Sequence, residues 1–113
     1  MDMLNYEKAT IRDAALQFEE LALVVALRVV RDCANNEILK AQFGDHKTIL
    51  QVMYFSVSSE DVLNELFNVI GVDSFDQIAD IPVRLKTDNE WGGIQMIGHA
   101  TEDKWFDFSD FLQ

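Results

Sequence analysis

Residues 21–30, LALVVALRVV, are apolar except for Arg28 and constrain the fold more than any other stretch. The run is about half of the roughly 20 residues that a membrane-spanning helix needs, and Arg28 interrupts it. It is therefore expected to be a buried core element. Its period is ambiguous. The Ala, Leu and Glu content between Ala14 and Val30 favours a helix, whereas Val24, Val25, Val29 and Val30 are β-branched, stiff about χ1 and favour a strand. Alternation supports the strand: Leu16 and Phe18 point one way, Gln17 and Glu19 the other. EILKAQFG, 37–44, alternates less cleanly, and Asn35-Asn36 before it tolerates the positive φ of a tight hairpin turn. Strands are predicted near 9–19, 21–31, 36–43 and 48–57, with one long helix over 14–31 as the alternative.

The second half reads more clearly. Ser58 stands before Asp61 at the capping spacing, and Glu60 and Asp61 suit the positive end of a helix dipole. Val62, Leu63, Leu66, Phe67 and Ile70 then fall on one helical stripe that Gly71 can end in the left-handed conformation. DSFDQIAD suggests one further turn capped by Ser74. Pro82 blocks helix continuation, and VRLKTD alternates as a strand. NEWGG supplies a turn before IQMIGH, which completes a hairpin. From Glu102 to Leu112, Trp105, Phe108 and Leu112 fall at helical spacing, so a short terminal helix or an ordered arm is expected. Trp105 and Phe106 are expected to fold back on the sheet and helix while Asp103, Asp107 and Asp110 stay outside.

These elements define a single α+β domain over 1–113: an antiparallel sheet of about five or six strands with one main helix, 59–70, packed on a face. The 113 residues, 49% of them hydrophobic, suffice for one core, and no repeat, low-complexity tract or linker marks a boundary. MDMLNYEKAT has early acids and no apolar run, so neither a signal peptide nor a membrane anchor is expected. The apolar 21–30 run offers more surface than one small sheet face needs, which allows a homodimer.

No residue set specifies an enzyme. The lone cysteine, Cys33, excludes an internal disulfide, and Asp32 beside it denies the positive surroundings that activate a thiolate. No Cys/His spacing suggests zinc, and no cofactor is implied. His99 has Glu102 and Asp103 close in sequence, a pattern that a structural hydrogen bond explains. Ser56, Ser58 and Ser59 lie in no nucleophile elbow. Gly92-Gly93 precedes a strand and not a helix N-terminus, so it reads as a hairpin turn and not as a phosphate cradle.

Charge carries the functional expectation. Twenty Asp and Glu against nine Lys and Arg leave a formal net charge of −11, which repels nucleic acid and anionic membranes. The acids are concentrated. Glu60, Asp61, Glu65, Asp73, Asp76 and Asp80 lie in a stretch without Lys or Arg, and Glu102, Asp103, Asp107 and Asp110 follow against Lys104 alone. A solvated face would explain such a run. Interleaving with Trp105, Phe106, Phe108 and Phe111 adds residue types that anchor interfaces. Together, acid and aromatic could imitate the charge and stacking surface of a nucleic acid toward a basic groove.

VIGVDSFDQIADIPVRLKTDNEWGGIQMIGHATEDKWFDF, 69–108, resembles the C-terminal half of a group of small phage-encoded proteins. The residues that carry the resemblance are Ile70, Gly71, Val72, Phe75, Val83, Arg84, Ile97, Gly98, His99, Asp103, Lys104, Trp105 and Phe106. The first half departs from it: relatives carry a GxGxGFGG-like stretch after the second strand, where this chain has RDCANNEILKAQFG with only Gly44. What the resemblance implies is origin, a phage or prophage protein acting in the cytoplasm of an infected bacterial host. Origin, charge and missing chemistry together suggest an anti-defence inhibitor of the anti-CRISPR type, binding a basic host protein such as a Cas effector or another nuclease. Two alternatives stand beside it. One is an oligomeric sponge for a nucleotide defence signal, held by Arg84, Lys86, Arg28 and Arg31 with Trp91 or Trp105 stacking on a base. The other is a non-enzymatic phage accessory protein.

Overall fold

In the computed structural model, residues 5–19, 22–88 and 91–110 are described. The β-branched run forms strands: β1 (Asn5–Glu19) and β2 (Ala22–Asp32) make an antiparallel hairpin. β2 takes a partner on each side, which satisfies its backbone and lets an almost uninterrupted apolar sequence remain extended. The other strands are β3 (Thr48–Ser56), β4 (Pro82–Thr87), β5 (Ile94–His99) and β6 (Trp105–Asp107). They form one antiparallel sheet in the order β3-β2-β1-β4-β5-β6. With the helices α1 (Glu37–Phe43) and α2 (Glu60–Ile70), this is an α+β fold.

Strand alternation separates two faces. Ile11, Val25, Leu27, Val29, Phe55, Val83, Leu85, Ile97 and Phe106 point into the core, where Val62, Leu66, Val69 and Ile70 of α2 cover them. Phe106 and Phe108 close it, with ring centroids 5.3 and 5.7 Å from that of Phe55. The opposite face, called here the open face, carries Tyr6, Lys8, Arg28, Tyr54, Arg84, Lys86 and Trp105. β1 keeps its apolar residues inward across a bulge between Ile11 and Asp13. At that bulge the Ile11 amide donates to the Ile81 carbonyl at 2.9 Å, and the Asp80 amide to the Ile11 carbonyl at 2.8 Å.

Several local readings are corrected. The predicted strand over 36–43 is α1, because the Asn36 side chain accepts from the amides of Ile38 and Leu39 at 3.0 and 3.2 Å. Asn35-Asn36 is accordingly no hairpin turn; residues 33–35 form a 3-10 turn that Asp32 caps through the Ala34 amide. The N-cap of α2 is Ser59 and not Ser58, and its side chain makes no capping bond; Ser74 makes none either. Of the two readings of the terminal segment, a short helix or an ordered arm, the described part is an ordered arm, β6 followed by a 3-10 turn over Phe108–Asp110, and Leu112 lies outside the described residues. As neighbours on a strand, Trp105 and Phe106 cannot share a face: Phe106 enters the core and Trp105 lies on the open face. The ending of α2 at Gly71 stands as read, with φ 83° and its amide 2.8 Å from the Phe67 carbonyl. No helix among the described residues is long and apolar enough to cross a membrane.

Candidate functional site

Of the C-terminal residues singled out in the sequence, His99, Glu102, Asp103 and Trp105 assemble into one cluster, Phe106 and Phe108 belong to the core, and Phe111 lies outside the described residues. On the open face, register aligns Lys8, Arg84, Gly98 and Trp105 in a row across β1, β4, β5 and β6, with Tyr6 and Lys86 in the next. The Trp105 indole lies flat on Gly98: a Cβ there would come within 2.6 Å of Cζ3 and 2.8 Å of Cδ2. Only glycine leaves room for the ring. Arg84 Cζ and Lys86 Nζ sit 4.8 and 4.2 Å from the indole centroid, and Tyr6 meets it edge-on at 5.8 Å. Both cations are drawn to the negative face of the π system.

Arg84 also fixes the loop between β5 and β6. Its Nε donates to the His99 carbonyl at 2.8 Å and its Nη2 to the Glu102 carbonyl at 2.7 Å. Inside that loop, His99 Nδ1 accepts from the amides of Thr101 and Glu102 at 3.1 and 3.0 Å. The ring proton is therefore on Nε2, 3.2 Å from Glu102 Oε2. Asp103 accepts from the Trp105 indole N–H at 2.8 Å. The Ile-Gly-His and Asp-Lys-Trp-Phe segments thus form one braced turn, and a structural role accounts for His99.

The acids divide into two groups. Glu102 is held by His99 and by Lys104 at 3.8 Å, Asp103 by Trp105, and Asp107 accepts from the Ser109 amide and hydroxyl at 2.9 and 2.7 Å. The side chain of Asp110 lies outside the described residues. By contrast, Glu60, Asp61 and Glu65 on α2, and Asp73, Asp76 and Asp80 after it, are all exposed. None of the six carboxylates makes an ion pair or a hydrogen bond among the described residues, although the Asp73 amide donates to Gln77 Oε1 at 2.8 Å. Glu60 and Asp61 occupy the first helical turn, where the dipole favours them. Asp80 takes φ 65°, a conformation that aspartate tolerates better than most residues.

The cations proposed for a nucleotide are only partly brought together. Arg84, Lys86 and Trp105 meet, but Trp91 is 74% exposed at the β4–β5 turn. Arg28 pairs with Asp13 on the open face. That hydrogen bond holds the Asp13 carboxyl below its ordinary value and raises the guanidinium. Arg31 is buried on the core face. It donates to both Glu7 oxygens at 2.8 Å, to Gln51 at 2.6 Å and to the Gly92 carbonyl at 2.7 Å. Asn36 completes the network by donating to Glu7 at 2.9 Å. Sequence reasoning missed this plug, although a signal was present: Arg31 continues the parity of Val25, Leu27 and Val29, and an ion on a buried strand face needs a partner.

Among the described residues, no group of three or more His, Cys, Asp or Glu side chains could hold a metal ion. Compared with protein-family models, curated proteins and solved structures, the chain matches none.

Proposed function

We propose that the protein is a phage-encoded anti-defence inhibitor whose acidic face occupies a basic, nucleic-acid-binding surface of a host Cas effector or another nuclease. The observation that carries the reading is the set of six exposed carboxylates from Glu60 to Asp80 with which no cation among the described residues forms an ion pair. Four of the nine Lys and Arg, namely Lys8, Arg28, Arg84 and Lys86, lie on the open face, and none lies between residues 48 and 83. Such segregation leaves the acidic potential uncancelled where a basic groove could meet it. The working contact narrows to Glu60, Asp61, Glu65, Asp73, Asp76 and Asp80, because Glu102, Asp103, Trp105 and Asp107 are occupied in bracing their own loop.

The test is binding to a purified Cas effector or nuclease, with competition by its nucleic acid. Binding should weaken as salt rises. Changing Glu60, Asp61, Glu65 and Asp73 to their amides should reduce affinity by more than about tenfold, roughly 1.4 kcal/mol. Undetectable binding at micromolar concentration and low salt rejects the reading.

One observation favours the nucleotide sponge as a second reading: Arg84, which packs with Lys86 on Trp105, lines a hollow of about 500 Å³ together with Lys8, Thr10, Asn35 and Thr101. A cyclic nucleotide that raises the melting temperature, with the rise lost in Lys8→Ala, supports it. No shift with any nucleotide removes it.

A further inference from the structure

The two edges of the sheet are unlike. β6 is a three-residue strand that ends on Asp107, follows Asp103 and Lys104, and runs at once into a 3-10 turn. Short, charged edges of this kind resist pairing with other chains. β3, at the other edge, reads TILQVMYFS over nine residues, with no charge, proline or glycine. Its pairing with β2 runs from Val24↔Ser56 to Asp32↔Thr48 without a bulge. A chain of net charge −11 thus keeps one long, neutral strand at an edge that no further strand pairs among the described residues.

The outward groups of that edge follow from the inward ones. The Val57 amide donates to the Leu23 carbonyl at 2.8 Å, and the Cys33 amide to the Lys47 carbonyl at 3.0 Å. Odd-numbered residues of β3 therefore bond to β2, and antiparallel geometry turns the amides and carbonyls of Thr48, Leu50, Val52, Tyr54 and Ser56 outward. The side chains of the same five residues lie on the open face, where Leu50 is 46% and Tyr54 54% exposed.

We propose that β3 pairs antiparallel with β3 of a second copy of this chain, about a two-fold axis at Val52, joining two six-stranded sheets into one continuous sheet. The strand is self-complementary about that residue. Thr48 falls opposite the partner's Ser56, Leu50 opposite the partner's Tyr54 and Val52 opposite the partner's Val52. On the core side Ile49 falls opposite the partner's Phe55 and Gln51 opposite the partner's Met53. Each outward backbone group meets a complementary one, and on each face an aliphatic side chain meets an aromatic one, each contact repeated by symmetry. A one-residue slip would exchange core-facing and open-facing side chains across the junction, which excludes the registers of opposite parity. Two copies of so acidic a chain repel each other, and the uncharged edge is where they can approach most closely. The pairing is independent of the acidic face and carries the opposite salt dependence: screening strengthens it, whereas it weakens binding of a basic partner.

Light scattering on the eluting full chain, over a series of concentrations, tests the pairing. The expected mass is twice 12.9 kDa, with more dimer at about 0.5 M than at about 0.05 M salt. Val52→Lys sets two like charges opposite each other and should leave a monomer of unchanged circular dichroism. Should that variant fail to fold, a matched pair decides: Leu50→Lys with Tyr54→Lys should be monomeric, whereas Leu50→Lys with Tyr54→Glu should dimerise through Lys–Glu pairs. A wild-type chain of 12.9 kDa at about 0.1 mM, or a dimer indifferent to all three variants, overturns the proposal. A monomer that instead captures an extended peptide of another protein overturns it too, and reassigns the edge.

Discussion

β1 and β2 are joined by two arginine–carboxylate pairs, one on each face of the sheet. Arg31–Glu7 is sealed in the core, with side chains 1% and 0% exposed; Arg28–Asp13 stands on the open face, with side chains 44% and 40% exposed. The arginines are three residues apart on one strand, so parity alone sends them to opposite environments. In the core, desolvation makes each ion depend on its partner, and Gln51, Asn36 and the Gly92 carbonyl complete the hydrogen bonding. On the open face water stabilises either ion by itself, and a pair there contributes little. The same chemistry is thus a structural plug on one side and a surface decoration on the other.

Breaking the buried pair should have the largest effect. Arg31→Met leaves Glu7 charged and unpaired, and should cost about 3–5 kcal/mol in urea unfolding. Replacing both, Arg31→Met with Glu7→Leu, should recover most of that loss, because the desolvated charge goes with its partner. If the double variant is as unstable as the single one, the network holds the fold by more than charge pairing.

Gly98→Ala sharpens the contrast from the open side. The added methyl must displace the Trp105 ring, and misfit of that kind costs about 1–3 kcal/mol. In a Trp91→Phe background the Trp105 emission should shift as the ring leaves Arg84 and Lys86. Unchanged emission and stability would mean that the ring has room elsewhere on the face.

The smallest effect is expected at the exposed pair. Asp13→Asn should leave the unfolding midpoint almost unchanged in moderate salt. Because the folded-state value of Asp13 is lowered, any stability it contributes is present above its ordinary value of 3.8 and is lost as the pH falls through the folded value. Stability curves of wild type and Asp13→Asn should therefore converge under acid. Curves that diverge there would show that Arg28 is not the carboxylate's main partner.

Local signals decided several elements from the sequence alone. The stripe from Val62 to Ile70, ended by Gly71, specifies α2 because both helix period and stop signal are contiguous in sequence. Alternation with a turn signal likewise specifies the β4–β5 hairpin, and β-branched content favours strands over a helix in 14–31. The concentration of acid from Glu60 to Asp80 is equally legible, since charge needs no partner to be counted.

Tertiary structure decided the rest, wherever the outcome depends on a partner distant in the chain. EILKAQF has the alternation of a strand, yet Asn36 caps it as a helix and Gly92, from the β4–β5 turn, closes over the plug beside it. The separation of Trp105 from Phe106 required β6 to pair with β5, because strand pairing sets the parity of the two faces. Which acids remain unpaired was settled by loop geometry: Glu102, Asp103 and Asp107 find neighbours in their own turns, while the six from Glu60 to Asp80 face solvent. Composition fixes how much charge the chain carries, but only packing determines which charges are left for another molecule.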